Sequence, residues 1–104
     1  MFARNVAIHL KSNMLSDYTR TFEKDVLPML RKQNGFKDEI TLSNPGSVDV
    51  IAISLWENRA AAEVYNTNTY PQVLKTFERM IDGIPKVQTF EAVTSTFHKV
   101  AVAA

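Results

Sequence analysis

Apolar side chains alternate along the start of the chain, with Val6, Ile8 and Leu10 on one side and Asn5, Ala7, His9 and Lys11 on the other. A period of two predicts a strand with one buried face. "KSN" follows, where Ser12 or Asn13 is the expected helix cap. Leu15, Tyr18, Phe22, Val26, Met29 and Leu30 then recur at helical spacing with charges between them. Gly35 suits the end of that helix. Pro28 lies inside it, removes one backbone hydrogen bond and predicts a bend over the last two turns. "FKDEITLS" alternates again, with Phe36, Ile40 and Leu42 as its expected apolar side. "NPGS" is a turn by composition. "VDVIAISLW" is apolar on both faces, as in a strand covered from both sides.

The stretch "ISLWENRAAAEVYNTNTYPQVLKTFERMIDG", Ile53 to Gly83, places the chain's single Trp between a strand and a helix. Asn58 is the expected cap of a short helix through Tyr65, which "NTNT" interrupts, and Pro71 falls in the first turn of a second helix. Val73, Leu74, Phe77, Met80 and Ile81 form the apolar stripe of the second piece, and Gly83 and Pro85 stop it. "KVQTFEAVTSTFHKV" reads as one long final strand rich in Val, Thr and Phe. The order β-α-β-β-α-β predicts an α+β, ferredoxin-like fold: a four-stranded antiparallel sheet with both helices on one face. At 104 residues with no linker or low-complexity stretch, one domain over 1–104 is expected.

Two helices shield only one face of such a sheet. The third strand is apolar front and back, so the other face would expose a contiguous patch of several hundred Å². At roughly 25 cal/mol per Å², covering it is worth several kcal/mol before association costs. A second copy packed sheet against sheet is the simplest cover, and a homodimer is expected.

Composition removes several function classes. The formal net charge is +1 with acids and bases interspersed, which gives no electrostatic footprint for nucleic acid or an anionic membrane. There is no cysteine, so disulfides, thiolate nucleophiles and zinc–thiolate sites are excluded. "MFARNVAIHLKSN" lacks the apolar core of a secretory signal, and a cytoplasmic location is the default expectation. The two histidines, His9 and His98, fall too far apart on the expected strands to share an ion, and no metal site is expected. Ser54 and Ser95 lie in strand patterns without a nucleophile elbow, and the three glycines fall at turns rather than in a phosphate loop.

The segments "DVLPMLRKQNGF", "ISLWENRAAAEVY" and "YPQVLKTFERMIDGIPKVQTFE" resemble the antibiotic-biosynthesis-monooxygenase type of domain, within the dimeric α+β barrel superfamily. The likeness covers nearly the whole chain. It implies two sheets closing a barrel in a homodimer, with a cavity in each subunit between sheet and helices. It also implies either cofactor-free oxygenation of phenols or quinols, or oxidative degradation of heme. In the heme-degrading branch the strand-one Asn matches Asn5, but the helix Trp falls on Tyr65 and the axial His on Lys75. A protonated lysine does not ligate iron as imidazole does, which argues against heme. For the quinol-oxidising branch, Asn5, Trp56, Tyr65 and Arg59 stand where pocket groups are expected, with no cofactor.

The residues themselves suggest a pocket of mixed character if Val50, Ala52, Ser54 and Trp56 of the third strand lie beside Asn5, Ala7 and His9. His9 is then the expected base that takes a phenolic proton, with Asn5 or the Trp56 indole N–H stabilising the anion. Tyr65, Ser54 and Arg59 complete the expected contacts to a small aromatic ligand. The competing reading is a non-catalytic dimer that binds a small ligand or serves as an association module. In that reading Trp56 is core, because an indole is among the largest apolar side chains to bury.

Overall fold

Strand β1 (Phe2–His9) runs down the middle of a four-stranded sheet ordered β2-β3-β1-β4, in which every neighbour is antiparallel. This is a computed structural model that describes residues 1–100, so the last four residues of the expected domain lie outside the described ones. After β1 come α1 (Leu15–Thr21), a π-helical turn (Phe22–Val26) and α2 (Leu27–Arg31), which together form one continuous helical stretch. A hairpin of β2 (Phe36–Ser43) and β3 (Asp49–Trp56) follows, then α3 (Arg59–Asn68), α4 (Tyr70–Phe77) and β4 (Lys86–Glu91). The ferredoxin-like α+β order read from the sequence is the order observed. No helix among the described residues is long and apolar enough to cross a membrane.

The core lies on one side of the sheet. Phe2, Val6 and Ile8 of β1 and Val50 and Trp56 of β3 pack with Tyr18, Phe22, Val26, Val73 and Phe77 from the helices. Tyr18 lies 4.6 Å from Phe77 and Phe22 stacks on Phe77 at 6.2 Å, so aromatic rings join the first helical stretch to α4. The other side of the sheet stays open, with Ile40, Leu42, Ile51 and Phe90 substantially exposed on it.

Several local expectations are corrected. The first helix is not capped by Ser12 or Asn13: Met14 holds the cap position without a side-chain bond, and Asn13 adopts a positive φ of 62°. Asparagine tolerates that conformation better than most residues. Pro28 acts through the π-helical turn just before it, where the Leu27 N–H reaches the Phe22 carbonyl five residues back. A proline ring crowds the carbonyl four residues earlier, and widening that turn relieves the clash. Asn58 does cap α3, accepting from the Ala61 N–H at 2.9 Å. That helix continues past Tyr65 through Asn68, and only Thr69 breaks it before Pro71 restarts the next.

Strand β2 carries a bulge, since Phe36 pairs with Trp56 and Asp38 with Leu55. The extra residue, Lys37, reverses the alternation. Phe36 therefore meets Trp56 edge-on at 5.5 Å on the helix side, while Ile40 and Leu42 face the open side. The final strand is shorter than expected. Among the described residues it pairs with β1 alone, and the Ala92 N–H bonds the Met1 carbonyl at 2.9 Å just past its end. The following segment crosses the open face instead, bringing His98 to Asp38 and Phe97 beside Ile40, Ile53 and Leu55.

Gly35 joins the first helical stretch to β2 at φ 80°, and a Cβ there would stand 2.6 Å from the Ala61 Cβ. Its carbonyl also accepts the Glu57 N–H at 2.7 Å, tying the turn to the end of β3. Gly35→Ala is expected to destabilise the fold by about 2–3 kcal/mol through backbone strain and overpacking. In urea denaturation, adding Ala61→Gly restores only the overpacking share, because the strained φ remains.

Candidate functional site

A cavity lies between the sheet and the helices, walled by apolar side chains that include Val6, Ile8, Phe22, Val26 and Phe77. Its polar groups are Arg4 of β1, Glu39 of β2, Ser54 of β3, Tyr18 of α1, Tyr65 of α3 and Tyr70 of α4. The volume is about 40 Å³. A dry cavity that takes up benzene has about 150 Å³, so an aromatic ring enters here only if wall side chains move.

Arg4 is the unusual member. The β1 alternation turns it toward the helices with Phe2, Val6 and Ile8, and it is 3% exposed. Its Nη2 donates to Asn66 Oδ1 at 2.9 Å. The guanidinium carbon lies 4.4 Å from the ring centre of Tyr70 and 5.0 Å from that of Tyr65. No Asp or Glu oxygen among the described residues comes within 4.0 Å of it. Burial lowers its pKa, with the two tyrosines opposing that shift. A guanidinium nonetheless stays charged in proteins. Removing a cation from water costs several kcal/mol, which the Asn66 hydrogen bond and the two tyrosines offset only in part. The cavity therefore holds a positive charge that no carboxylate among the described residues pairs with.

Glu39 reaches the same cavity because its neighbours Ile40 and Leu42 take the open face. It accepts the Thr41 hydroxyl at 2.7 Å. Burial raises its pKa, against the lowering by that hydrogen bond. Burial likewise raises Tyr18 far above the ordinary phenol range, raises Tyr70, and pushes Tyr65 up to about 12 despite the opposing pull of Arg4. The tyrosines are thus neutral hydroxyls at physiological pH. The group whose proton affinity is shifted toward neutrality is the carboxyl.

The residues singled out in the sequence are divided by the fold. Ser54 and Tyr65 line the cavity. Trp56 is fully buried beside it, donates its indole N–H to Ser54 Oγ at 2.8 Å, and packs 4.9 Å from Tyr65. Asn5 and His9 lie on the open face, because β1 pairs Asn5 with Ile53 and His9 with Asp49. Val50, Ala52, Ser54 and Trp56 instead pair with Ile8, Val6, Arg4 and Phe2. The expected pocket row was thus drawn from two opposite faces. His9 bonds Asp49 through Nδ1 at 2.6 Å, a contact that lowers the Asp49 pKa, and both side chains are exposed. Asn5 has a buried Oδ1 with no hydrogen-bond partner among the described residues. Arg59 points outward, paired with Glu63 at 2.9 Å and 5.9 Å from the Phe2 ring. Arg4 and Glu39 were missed. Arg4 falls on the parity of Val6 and Ile8, and that was the available signal. Among the described residues no three His, Asp or Glu side chains gather closely enough to hold a metal.

No protein-family model matches the chain, and no curated protein does. Solved structures do share its fold. A protein of unknown function from Nitrosomonas europaea superposes with a TM-score of 0.77 at 13% identity, covering 94% of each chain. A Bordetella bronchiseptica protein provisionally designated an antibiotic biosynthesis monooxygenase gives 0.77 at 11% identity, covering 89% of this chain and 97% of that one. SnoaB, a cofactor-independent oxygenase from Streptomyces nogalater, gives 0.75 at 10% identity, covering 91% and 95%. The chain has the fold of antibiotic-biosynthesis-monooxygenase-type domains. At these identities the likeness speaks for the fold alone.

A carboxyl whose pKa is higher folded than unfolded keeps its proton more tightly in the native state, so stability falls as pH rises. For Glu39 the fall begins near 4.5, its ordinary value, and ends above the raised native value. Glu39→Gln is expected to remove that component and to raise the urea midpoint at pH 7 relative to wild type, with little difference at pH 4. Ser54→Ala leaves the buried indole N–H without its acceptor and is expected to cost about 1–3 kcal/mol in the same assay.

Proposed function

We propose that the chain is a small monooxygenase-type enzyme that works without a cofactor on a phenolic or quinol-type aromatic compound held between sheet and helices. The observation that carries this reading is the presence of Glu39, a carboxyl with raised proton affinity, in the same apolar cavity as the uncompensated Arg4 charge. The reaction class is taken from SnoaB, a cofactor-independent oxygenase whose fold the chain shares. A base with raised pKa removes a proton from the substrate more readily near neutral pH. The positive potential of Arg4 favours the anion that remains. That anion transfers electrons to O₂, so that a ring CH₂ becomes C=O and the second oxygen atom leaves as water. The substrate supplies every electron. Tyr65 and Ser54 contribute polar edges, and Trp56 supports Tyr65 from behind.

Oxygen uptake with anthrone- or dihydroxynaphthalene-type substrates tests the assignment. Glu39→Gln is expected to lower kcat at least tenfold. Full activity in Glu39→Gln, with loss in His9→Ala or Asn5→Ala, would move the chemistry to the open face and overturn it.

The assembly we propose is a homodimer packed sheet against sheet. Ile40, Leu42, Ile51 and Phe90 offer the apolar surface. Sedimentation velocity at micromolar concentration is expected to show twice the chain mass, and Leu42→Asp the single chain. A wild-type protein that sediments as one chain would rule the dimer out.

A further inference from the structure

We infer that the ligand of this cavity carries a permanent anionic group, of carboxylate type, attached to a flat ring, and that Arg4 is its anchor. The inference rests on the cavity being the ligand site, as proposed above, but not on oxygenation taking place there. Arg4 is 3% exposed, lines the cavity, and donates to a neutral amide, Asn66, with no Asp or Glu oxygen among the described residues within 4.0 Å. A guanidinium has five N–H donors in a planar fork that matches a carboxylate with two parallel bonds. Tyr65 and Tyr70 lie against the guanidinium, so a planar group arriving beside it meets ring faces. Glu39, the acidic side chain lining the cavity, is bonded to Thr41 rather than to Arg4 and takes up a proton more readily than an exposed carboxyl.

Size points the same way. The volume of about 40 Å³ suits a group of two or three heavy atoms but not a ring. The head group enters without displacing the walls, and the ring that follows has to part them. A charged head thus supplies the attraction that opens the cavity. A neutral ring has no equivalent attraction.

Benzoate and benzamide form the test pair, since they are nearly isosteric and differ in charge. By isothermal titration the wild-type protein is expected to bind benzoate at least tenfold more tightly than benzamide. Arg4→Met is expected to erase that preference, while Arg4→Lys, which keeps the charge but loses the fork, retains part of it. If Arg4→Met does not fold by circular dichroism, the Arg4 Nε–H resonance of the wild-type protein decides: it is expected to shift saturably with benzoate and stay in place with benzamide. Equal affinity for the two probes, an unmoved Arg4 resonance, or undiminished preference in a folded Arg4→Met protein would each overturn the inference. Benzoate preference without oxygen uptake overturns only the oxygenase reading. Turnover of neutral phenols without any anion preference overturns only this one.

Discussion

The antiparallel register between β1 and β3 governs everything else in this molecule. Pairing Phe2 with Trp56 and Arg4 with Ser54 sends the even-numbered residues of both strands toward the helices and the odd-numbered ones to the open face. Side chains alternate with a strict period of two, so a slip of one residue would exchange the two sets completely. Val6, Ile8, Val50 and Trp56 are what hold the register, because a slip would put them in water. Arg4 is held in the interior by the same parity and contributes nothing to setting it. A charge occupies an interior place because its neighbours along the strand require that place.

Two departures from regular structure shape the space around that charge. The bulge at Lys37 lets Phe36 cover Trp56 while the rest of β2 presents Glu39 and Thr41 to the interior and Ile40 and Leu42 to the outside. The π-helical turn before Pro28 contributes Phe22 and Val26 to the cavity wall, so the widened turn borders the site directly. Trp56 lies between these features. Its indole is wedged among Phe36, Tyr65 and the Ser54 hydroxyl, which explains a tryptophan at the junction of strand and helix. It serves as the fixed back wall for side chains that face the cavity.

The two faces of the sheet present different chemistry. The interior face combines apolar walls with one buried cation, one carboxyl and three neutral phenols, which suits a polar-headed small molecule. The exterior face has exposed aliphatic side chains and an exposed His9–Asp49 pair, which suits contact with another protein surface. The segment after β4 crosses that second face and fastens at Asp38, leaving Phe97 largely exposed.

The order of elements was legible from residue pattern alone, because strand and helix periods are local properties of the chain. So were the Asn58 cap and the restart at Pro71, each set by the chemistry of one residue. The site was legible only in part. Ser54 and Tyr65, expected as ligand contacts, line the cavity, whereas Asn5, His9 and Arg59 were expected in a pocket they do not reach. Alternation along β1 shows that Arg4 shares a side with Val6 and Ile8, but a charge on an apolar side is ordinarily read as a strand end reaching solvent. Which residues of β3 stand beside β1, how far α3 extends over Arg4, and where the bulge reverses β2 depend on contacts between segments far apart in sequence. Local pattern carries no record of those distances, and only the packed tertiary structure decides them.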